Sequence, residues 1–338
     1  MITKKHFKQK NKITKQKLKK ILSQKINYIH KKQLKQSKQL KQSKQLKQSK
    51  QSKQSKQSKQ SIKNSSLDEI LDSQAEINKF VNDFVNNYFS PKDTIFNILE
   101  KQERYAAYNL GKGYGANTIK NEVNSCLSLF NLRPYIFIDI GANKGDYSKE
   151  VFRQFPDMEI YMFEPSKYHK NNLSKLYGKN PNIHINNIGL SNKSYKTTLY
   201  SDHYGSALSS LTQRNVTNID FNYKEEVEIQ RFDEYWNTTE NVNNIIDYVK
   251  IDVEGHELDV LEGIGKYIDK IRLIQFEFGG TNIDTRTYFK DFWNYFKKHN
   301  FSIYRITPKG LLYIYKYWEM DEVFLTTNYI AFNKNNIL

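Results

Sequence analysis

Downstream of Pro134, short β-rich runs alternate with longer amphipathic stretches, and this alternation limits the fold more than any other feature of the chain. Runs at 135–140, 159–163, 182–186, 248–253 and 273–278 read as strands. Between and after them, 147–154, 168–177, a stretch from 256 to about 263 and one at about 285–299 read as helices. The last carries Tyr288, Phe289, Phe292, Trp293 and Phe296 on one side. Strands separated by helices imply a parallel sheet covered on both faces. Further strands are expected at 195–200 and 226–231. The chain closes with β-runs at 301–306, 311–316 and 328–333, the first two joined through Pro308-Lys309-Gly310. These would add antiparallel strands at the edge. The expected fold is α/β, a doubly wound, mostly parallel, Rossmann-like sheet with antiparallel terminal strands.

The N-terminal part has a different character. Ser66 and Glu69 form a capping box, and apolar residues at helical spacing follow as far as Tyr88. A second helical stretch covers about 94–108. After the glycine-rich loop 111–115, which is a candidate cover for a ligand, a third covers about 117–130. The expected organisation is a Lys-rich tail over 1–63, a helical extension over 64–134 and a catalytic-type domain over 135–338.

The chain of 338 residues has a net charge of +17, from 53 Lys and Arg against 36 Asp and Glu. That charge is local. Residues 1–63 hold 22 lysines, no arginine and no acid, which leaves 31 basic and 36 acidic residues in 64–338, or −5. From Lys32 to Ser61 the tail is ten copies of Lys-Gln-Leu or Lys-Gln-Ser. A three-residue period drifts around a helix and builds no apolar stripe, so the tail is expected to be disordered. A solvated low-complexity extension is the simpler reading. Contact with a polyanion, either nucleic acid or an anionic membrane, is the functional one. Residues 18–29 carry a short basic amphipathic pattern, and no aromatic residues interleave the repeats as a base-stacking platform would need. No apolar run approaches the ~18 residues of a transmembrane segment. One cysteine, Cys126, rules out an internal disulfide framework. Together with the lack of a signal-peptide core, this points to a cytoplasmic protein.

Three strand ends carry the chemistry. Phe137-Ile138-Asp139-Ile140-Gly141-Ala142-Asn143-Lys144-Gly145-Asp146 is a strand ending in an acid, a glycine turn and a helix start. Glycine at such a turn lets backbone approach a ligand at a helix N-terminus. The spacing is neither a Walker loop nor the dinucleotide fingerprint. The second strand ends Tyr161-Met162-Phe163-Glu164-Pro165. Its acid falls about 20 residues after the glycines, where it can accept hydrogen bonds from ribose hydroxyls. The third element, Tyr248-Val249-Lys250-Ile251-Asp252-Val253-Glu254-Gly255-His256-Glu257, gathers carboxylates and an imidazole around one glycine, groups that burial can tune into a base. The next strand ends with another acid, Glu277.

The segments FIDIGANKGDYS, MFEPS, VKIDVEGHELDVLEGI and IQFEF, in this order and spacing, resemble the FkbM-type family of S-adenosylmethionine-dependent O-methyltransferases. The segment VEIQRFDEY (227–235) is similar to the stretch before that family's Lys-Ile-Asp-x-Glu-Gly motif. The resemblance spans about 105–335 and implies a class I methyltransferase fold with S-adenosylmethionine as cofactor. It implies that Gly141, Asn143 and Gly145 carry the methionine part of the cofactor, with Asp139 supporting that loop. Glu164 would hold the ribose. The 186–190 segment, with Asn187 and Gly189, would line the adenine. Asp252, Glu254 and His256 would face the acceptor, with Asp252 or His256 as base. His256 stands where the family often has a small residue. A divalent ion on Asp252 and Glu277 is an option some O-methyltransferases use, but no metal is assigned. The expected acceptor is a hydroxyl of a sugar, glycan or small metabolite. The alternatives are an RNA-directed methyltransferase, suggested by the tail, and a non-catalytic binding protein tethered by that tail.

Overall fold

The computed structural model describes residues 75–336, apart from 77, 85–86, 89–93, 117 and 217. The Lys-Gln repeats, the 18–29 pattern and the capping box at Ser66 lie outside the described residues. The chain divides into two compact units, 1–105 and 106–338. In the first, Val81 and Phe84 are buried against Phe80, Ile98 and Tyr105, the last two on helix α1 (Ile95–Asn109).

The second unit has α2 (Ile119–Leu127), α3 (Asp146–Gln154), α4 (Lys167–Tyr177), α5 (Phe232–Trp236), α6 (Glu257–Ile264), α7 (Thr281–Thr285) and α8 (Phe289–Lys298). Its strands are β1 (Ile136–Ile140), β2 (Glu159–Phe163), β3 (Ile183–Asn186), β4 (Gly189–Ser191), β5 (Tyr195–Ser201), β6 (Tyr223–Arg231), β7 (Ile246–Ile251), β8 (Ile271–Phe278), β9 (Phe301–Thr307), β10 (Gly310–Ile314) and β11 (Thr327–Asn333). Eight strands form the main sheet in the order β10-β9-β11-β8-β7-β1-β2-β3. β3, β2, β1, β7 and β8 run parallel, while β11 pairs antiparallel with both β8 and β9. This is the doubly wound α/β arrangement read from the alternation. One detail differs: the last strand inserts between β8 and the β9–β10 hairpin, so the hairpin is outermost. The two additional strands, β5 and β6, join β4 in a separate three-stranded sheet.

Burial follows the two-residue period of a strand. Every residue of β1 is buried, as a central strand requires. Ile136, Ile138 and Ile140 face one layer with Val260, Leu261 and Ile264 of α6 and Phe289, Phe292 and Phe296 of α8. Phe137 faces the other, with Val123 and Cys126 of α2, Tyr147 and Val151 of α3 and Leu173 of α4. Helix α2 lies within the segment assigned from sequence to a helical extension, yet it supplies core to the sheet. α8 starts where the Asp291 carboxylate accepts the Tyr288 backbone N–H at 2.9 Å. It carries Lys297 and Lys298 in its last turn, which suits the helix dipole.

β1 leads outward to β2 and β3, and the chain then returns to β7 on the opposite side of β1. Such a reversal opens a crevice at the carboxyl ends of the strands. Among the described residues, no helix is long and apolar enough to cross a membrane.

Candidate active site

A cavity of about 350 Å³ occupies that crevice. Gly141, Asn143, Glu164 and Gly189 border it toward β1, β2 and β4, and Asp252, Glu254 and His256 border it beyond β7. Seven of the ten residues singled out from sequence therefore meet around one space. Asp139, Gly145 and Asn187 do not border it, and each has a supporting position.

Gly141 takes φ +80°, and a Cβ there would stand 1.9 Å from the Asp252 carbonyl oxygen. Only glycine lets the first loop pass so close to the end of β7. Asn143 follows at φ 49°. Gly145 starts α3 at φ +79°, and a side chain on it would meet Leu173 of α4. The Glu164 carboxylate accepts the Asn143 backbone N–H at 2.7 Å and that of Ser166 at 2.9 Å. It thus ties the glycine loop to the end of β2, and burial pushes its pKa up to about 7. Each carboxylate oxygen keeps a second acceptor site. Asn187 donates through Nδ2 to the carbonyls of Glu164 (3.0 Å) and Pro165 (2.9 Å), bracing that turn from outside the cavity.

Asp139 is fully buried and accepts from Ser148 Oγ at 2.6 Å. Its other oxygen is 3.4 Å from Lys250 Nζ, an ion pair without the alignment of a hydrogen bond. Lys250 donates to the Gly141 carbonyl at 2.9 Å and lies 3.4 Å from the Asp252 carboxylate. Burial opposes its charge, but the carboxylates of Asp252 and Asp139 outweigh burial and hold its pKa above the usual range. This one ammonium joins the glycine loop to the acid after β7. Sequence reasoning passed over it, although a lysine inside the buried run Tyr248–Val253 is itself a signal, since such a charge needs partners.

The register shows why these groups meet. Asp139, Lys250 and Gln275 are direct neighbours across β1, β7 and β8, so one row of side chains runs under the cavity floor. Gln275 Oε1 accepts from Tyr248 Oη (2.9 Å), Tyr147 Oη and Cys126 Sγ (3.3 Å). Its Nε2 donates to Glu122 (2.7 Å) and Asn328 (3.3 Å). Glu122, from α2, also accepts from Thr118 and borders the cavity beside Glu277 and Asn328. Cys126, Glu122 and Asn328 stand outside every sequence motif, while Tyr147 and Tyr248 lie within the first and third motif segments.

The cavity is therefore acidic at its far end. Burial, then the neighbouring carboxylates Asp252 and Glu257, push Glu254 up to about 8, and burial raises Glu122. Burial, then Asp252 and Glu254, raise Glu277 well above its ordinary value. The Asp252 side chain is 38% exposed, whereas Glu254 faces Arg214 at 3.9 Å. Glu254 sits at φ 56° and Gly255 at φ 103°. That tight turn is held by the Glu257 carboxylate, which accepts the N–H groups of Val253 (3.0 Å) and Gly255 (3.1 Å). His256 has both ring nitrogens engaged: Nδ1 with Asp259 Oδ2 at 2.8 Å, and Nε2 with Thr212 Oγ1 at 2.9 Å. Among the described residues, no group of three or more His, Cys, Asp or Glu side chains is placed to hold a metal ion. In the 111–115 loop, the Gly113 N–H donates to Thr327 Oγ1 at 3.0 Å, and Gly115 borders the cavity.

The unpartnered Asn143 Oδ1 in the cavity wall, the close backbone at Gly141 and the excess of carboxylates suit a nucleoside bearing a positive charge. Among solved structures, the chain is similar to an FkbM methyltransferase from Methylobacillus flagellatus KT. The identity is 13%, over 75% of this chain and 54% of that one, with a TM-score of 0.42. The chain thus spans about half the length of that relative. A SAM-dependent O-methyltransferase from Thermotoga maritima matches at 10% identity over 63% of this chain and 64% of that one, with a TM-score of 0.34. M. capricolum TrmK, in complex with S-adenosyl-homocysteine, matches at 17% identity over 64% and 68%, also with a TM-score of 0.34. No curated protein matches the chain at a significant level. The model of the methyltransferase FkbM domain matches residues 139–303, from Asp139 near the end of β1 to the start of β9. Over those residues the chain carries a methyltransferase FkbM domain.

Proposed function

We propose that the chain is an S-adenosylmethionine-dependent O-methyltransferase acting on a hydroxyl of a sugar, glycan or small metabolite. The observation that carries this reading is the single cavity, which joins the Gly141–Asn143 loop to the acids after β7 and at the end of β8. The cofactor would supply a methyl group on a cationic sulfonium. Gly141 and Asn143 would hold its methionine part. Asp139 and Lys250 would support that loop from below, and Gly145 would set the start of α3. Glu164 would take the ribose hydroxyls with the acceptor sites its backbone bonds leave free. Gly189 would wall the adenine, with Asn187 bracing the turn beside it.

At the far end, Asp252 would take the proton of the acceptor hydroxyl, since a positioned base assists that loss. Its exposure to the cavity supports this role, and the engagement of both His256 nitrogens favours Asp252 over His256. Glu254, Glu277 and Glu122 would accept hydrogen bonds from further hydroxyls of the acceptor. Holding nucleophile and methyl group in line would supply most of the acceleration. This carboxylate-rich wall supports a polyhydroxy acceptor over a polyphosphate such as RNA.

The test is a screen of glycans, metabolites and RNA with labelled S-adenosylmethionine, run beside Asp252→Asn. The variant should bind S-adenosylhomocysteine like the wild type and transfer no methyl. Full activity would remove Asp252 from the mechanism, and methylation of RNA alone would overturn the hydroxyl reading.

A further inference from the structure

Between β5 and β6 the chain runs as a strap, and residues 206–212 of it touch both ends of the cavity. Ser206, Ala207, Ser209 and Leu211 border the space. At the near end, His169 Nε2 lies 3.1 Å from the Ser206 carbonyl oxygen, and Asn143 Nδ2 donates to the Ala207 carbonyl at 3.4 Å. At the far end, Ser210 Oγ donates to the Glu254 carbonyl at 2.8 Å, and Thr212 meets His256 Nε2 at 2.9 Å. Gly205, at φ +77°, lies so close under the Tyr168 ring that a Cβ would come within 2.4 Å of it.

The tautomer of His169 follows from its partner. A carbonyl only accepts, so the ring carries its hydrogen on Nε2 and Nδ1 is a bare acceptor. Burial lowers the pKa of this ring, which keeps it neutral near pH 7. His169 is 2% exposed and borders the cavity. Its Nδ1 has no hydrogen-bond partner among the described residues, nor has Asn143 Oδ1. Buried polar atoms are almost always paired. Two bare, buried acceptors, on side chains that are anchored to adjacent carbonyls of one strap and belong to residues bordering one cavity, therefore mark a place for a ligand that donates.

We infer that His169 is a ligand-binding residue whose Nδ1, together with Asn143 Oδ1, accepts N–H or O–H bonds from the bound nucleoside, and that this contact clamps the 206–212 strap. The inference rests on the cofactor reading of the cavity given above. Fixing the near end of the strap also fixes Ser210 and Thr212, and through them the Glu254 carbonyl and the His256 ring. These far-end contacts are already formed, and filling the cofactor end holds them more firmly, so cofactor binding favours acceptor binding.

Full-length protein, S-adenosylhomocysteine, calorimetry and amide hydrogen exchange test this without any acceptor. Saturating ligand should slow exchange across the strap about tenfold, the change expected for roughly one added hydrogen bond's worth of protection. His169→Phe should weaken ligand affinity roughly five- to tenfold and lose the strap protection. His169→Gln, which keeps a donor for Ser206 and an acceptor for the ligand, should recover most of both. Thr212→Val should keep ligand affinity while ligand binding no longer shifts the His256 ring resonances. Wild-type protein that binds the ligand with unchanged strap exchange overturns the inference. So does wild-type affinity in His169→Phe. Should that variant not fold, the His169→Gln affinity and the wild-type exchange decide. Absence of any ligand binding to the wild type would instead overturn the cofactor reading itself.

Discussion

Replacing Gln275 by leucine would show how much of the molecule depends on the row of side chains beneath the cavity. Leucine is close in size, so the change leaves little void, and its effect is the loss of polar partners. Tyr147 and Tyr248 keep each other, but one of the two hydroxyl hydrogens loses its acceptor. Asn328 Oδ1 loses the donor at 3.3 Å. Cys126 loses a weak bond, and Glu122, which borders the cavity, can be hydrated in place of its lost donor. Asn328 borders the cavity and can be hydrated like Glu122, so one deeply buried hydroxyl is left unsatisfied, at about 2 kcal/mol. Against a total stability of about 5–15 kcal/mol, urea unfolding should show a large fall in midpoint at unchanged slope. A loss under about 1 kcal/mol would refute the view that Gln275 is the saturated hub of this network. Gln275→Glu separates shape from donation: it restores the acceptor for the tyrosines but sets two carboxylates face to face, so it should be no more stable than the leucine variant.

Gly141→Ala should abolish S-adenosylhomocysteine binding and cost about 3 kcal/mol or more. The new methyl would overlap the Asp252 carbonyl at 1.9 Å while φ stays left-handed; an alanine variant of ordinary affinity would show that the close approach is dispensable. Stability should fall as pH rises from about 5 to 9. Glu164 and Glu254 have folded pKa values near 7 and 8, above the ordinary 4.5, so the folded state holds more protons than the unfolded one between these limits. The stability they contribute is complete below about 4.5 and is lost as pH passes their folded values, of order 3 kcal/mol for Glu164 alone. Melting temperatures that stay level or rise over this range would contradict it. Glu164→Ala should reduce S-adenosylhomocysteine affinity beyond calorimetric detection, because it removes both the ribose acceptor and the tie to the Asn143 N–H. Unchanged affinity would sink the ribose assignment.

Much of the fold was readable in the sequence because its signals are local. Strand alternation, helix spacing and the turn after β1 each depend on neighbours along the chain. So did the acids at three strand ends, because a carboxylate closing a hydrophobic strand is conspicuous wherever it occurs. Lys250, Gln275 and Glu122 were harder to find. Each gains its meaning from residues far away in sequence, as when Gln275 lies 153 positions from Glu122 and hydrogen-bonds to it. The strap was also invisible, because polar loop sequence does not say which loop it crosses. Asn187 and Gly145 stand on turns that the sequence singled out, but the turn geometry sets them behind the cavity wall.

By itself the sequence determined the parallel α/β frame, the glycine turn with its acids, and the confinement of the net positive charge to residues 1–63, leaving 64–338 at −5. These follow from periodicity, backbone sterics and simple counting. Only the tertiary structure decided that one lysine links the glycine loop to Asp252, that His256 has both nitrogens engaged, and that four carboxylates converge at one end of a single cavity. The physical reason is register. Which side chains become neighbours across β1, β7 and β8 depends on how separate segments align when apolar faces are buried, and no stretch of sequence carries that alignment alone.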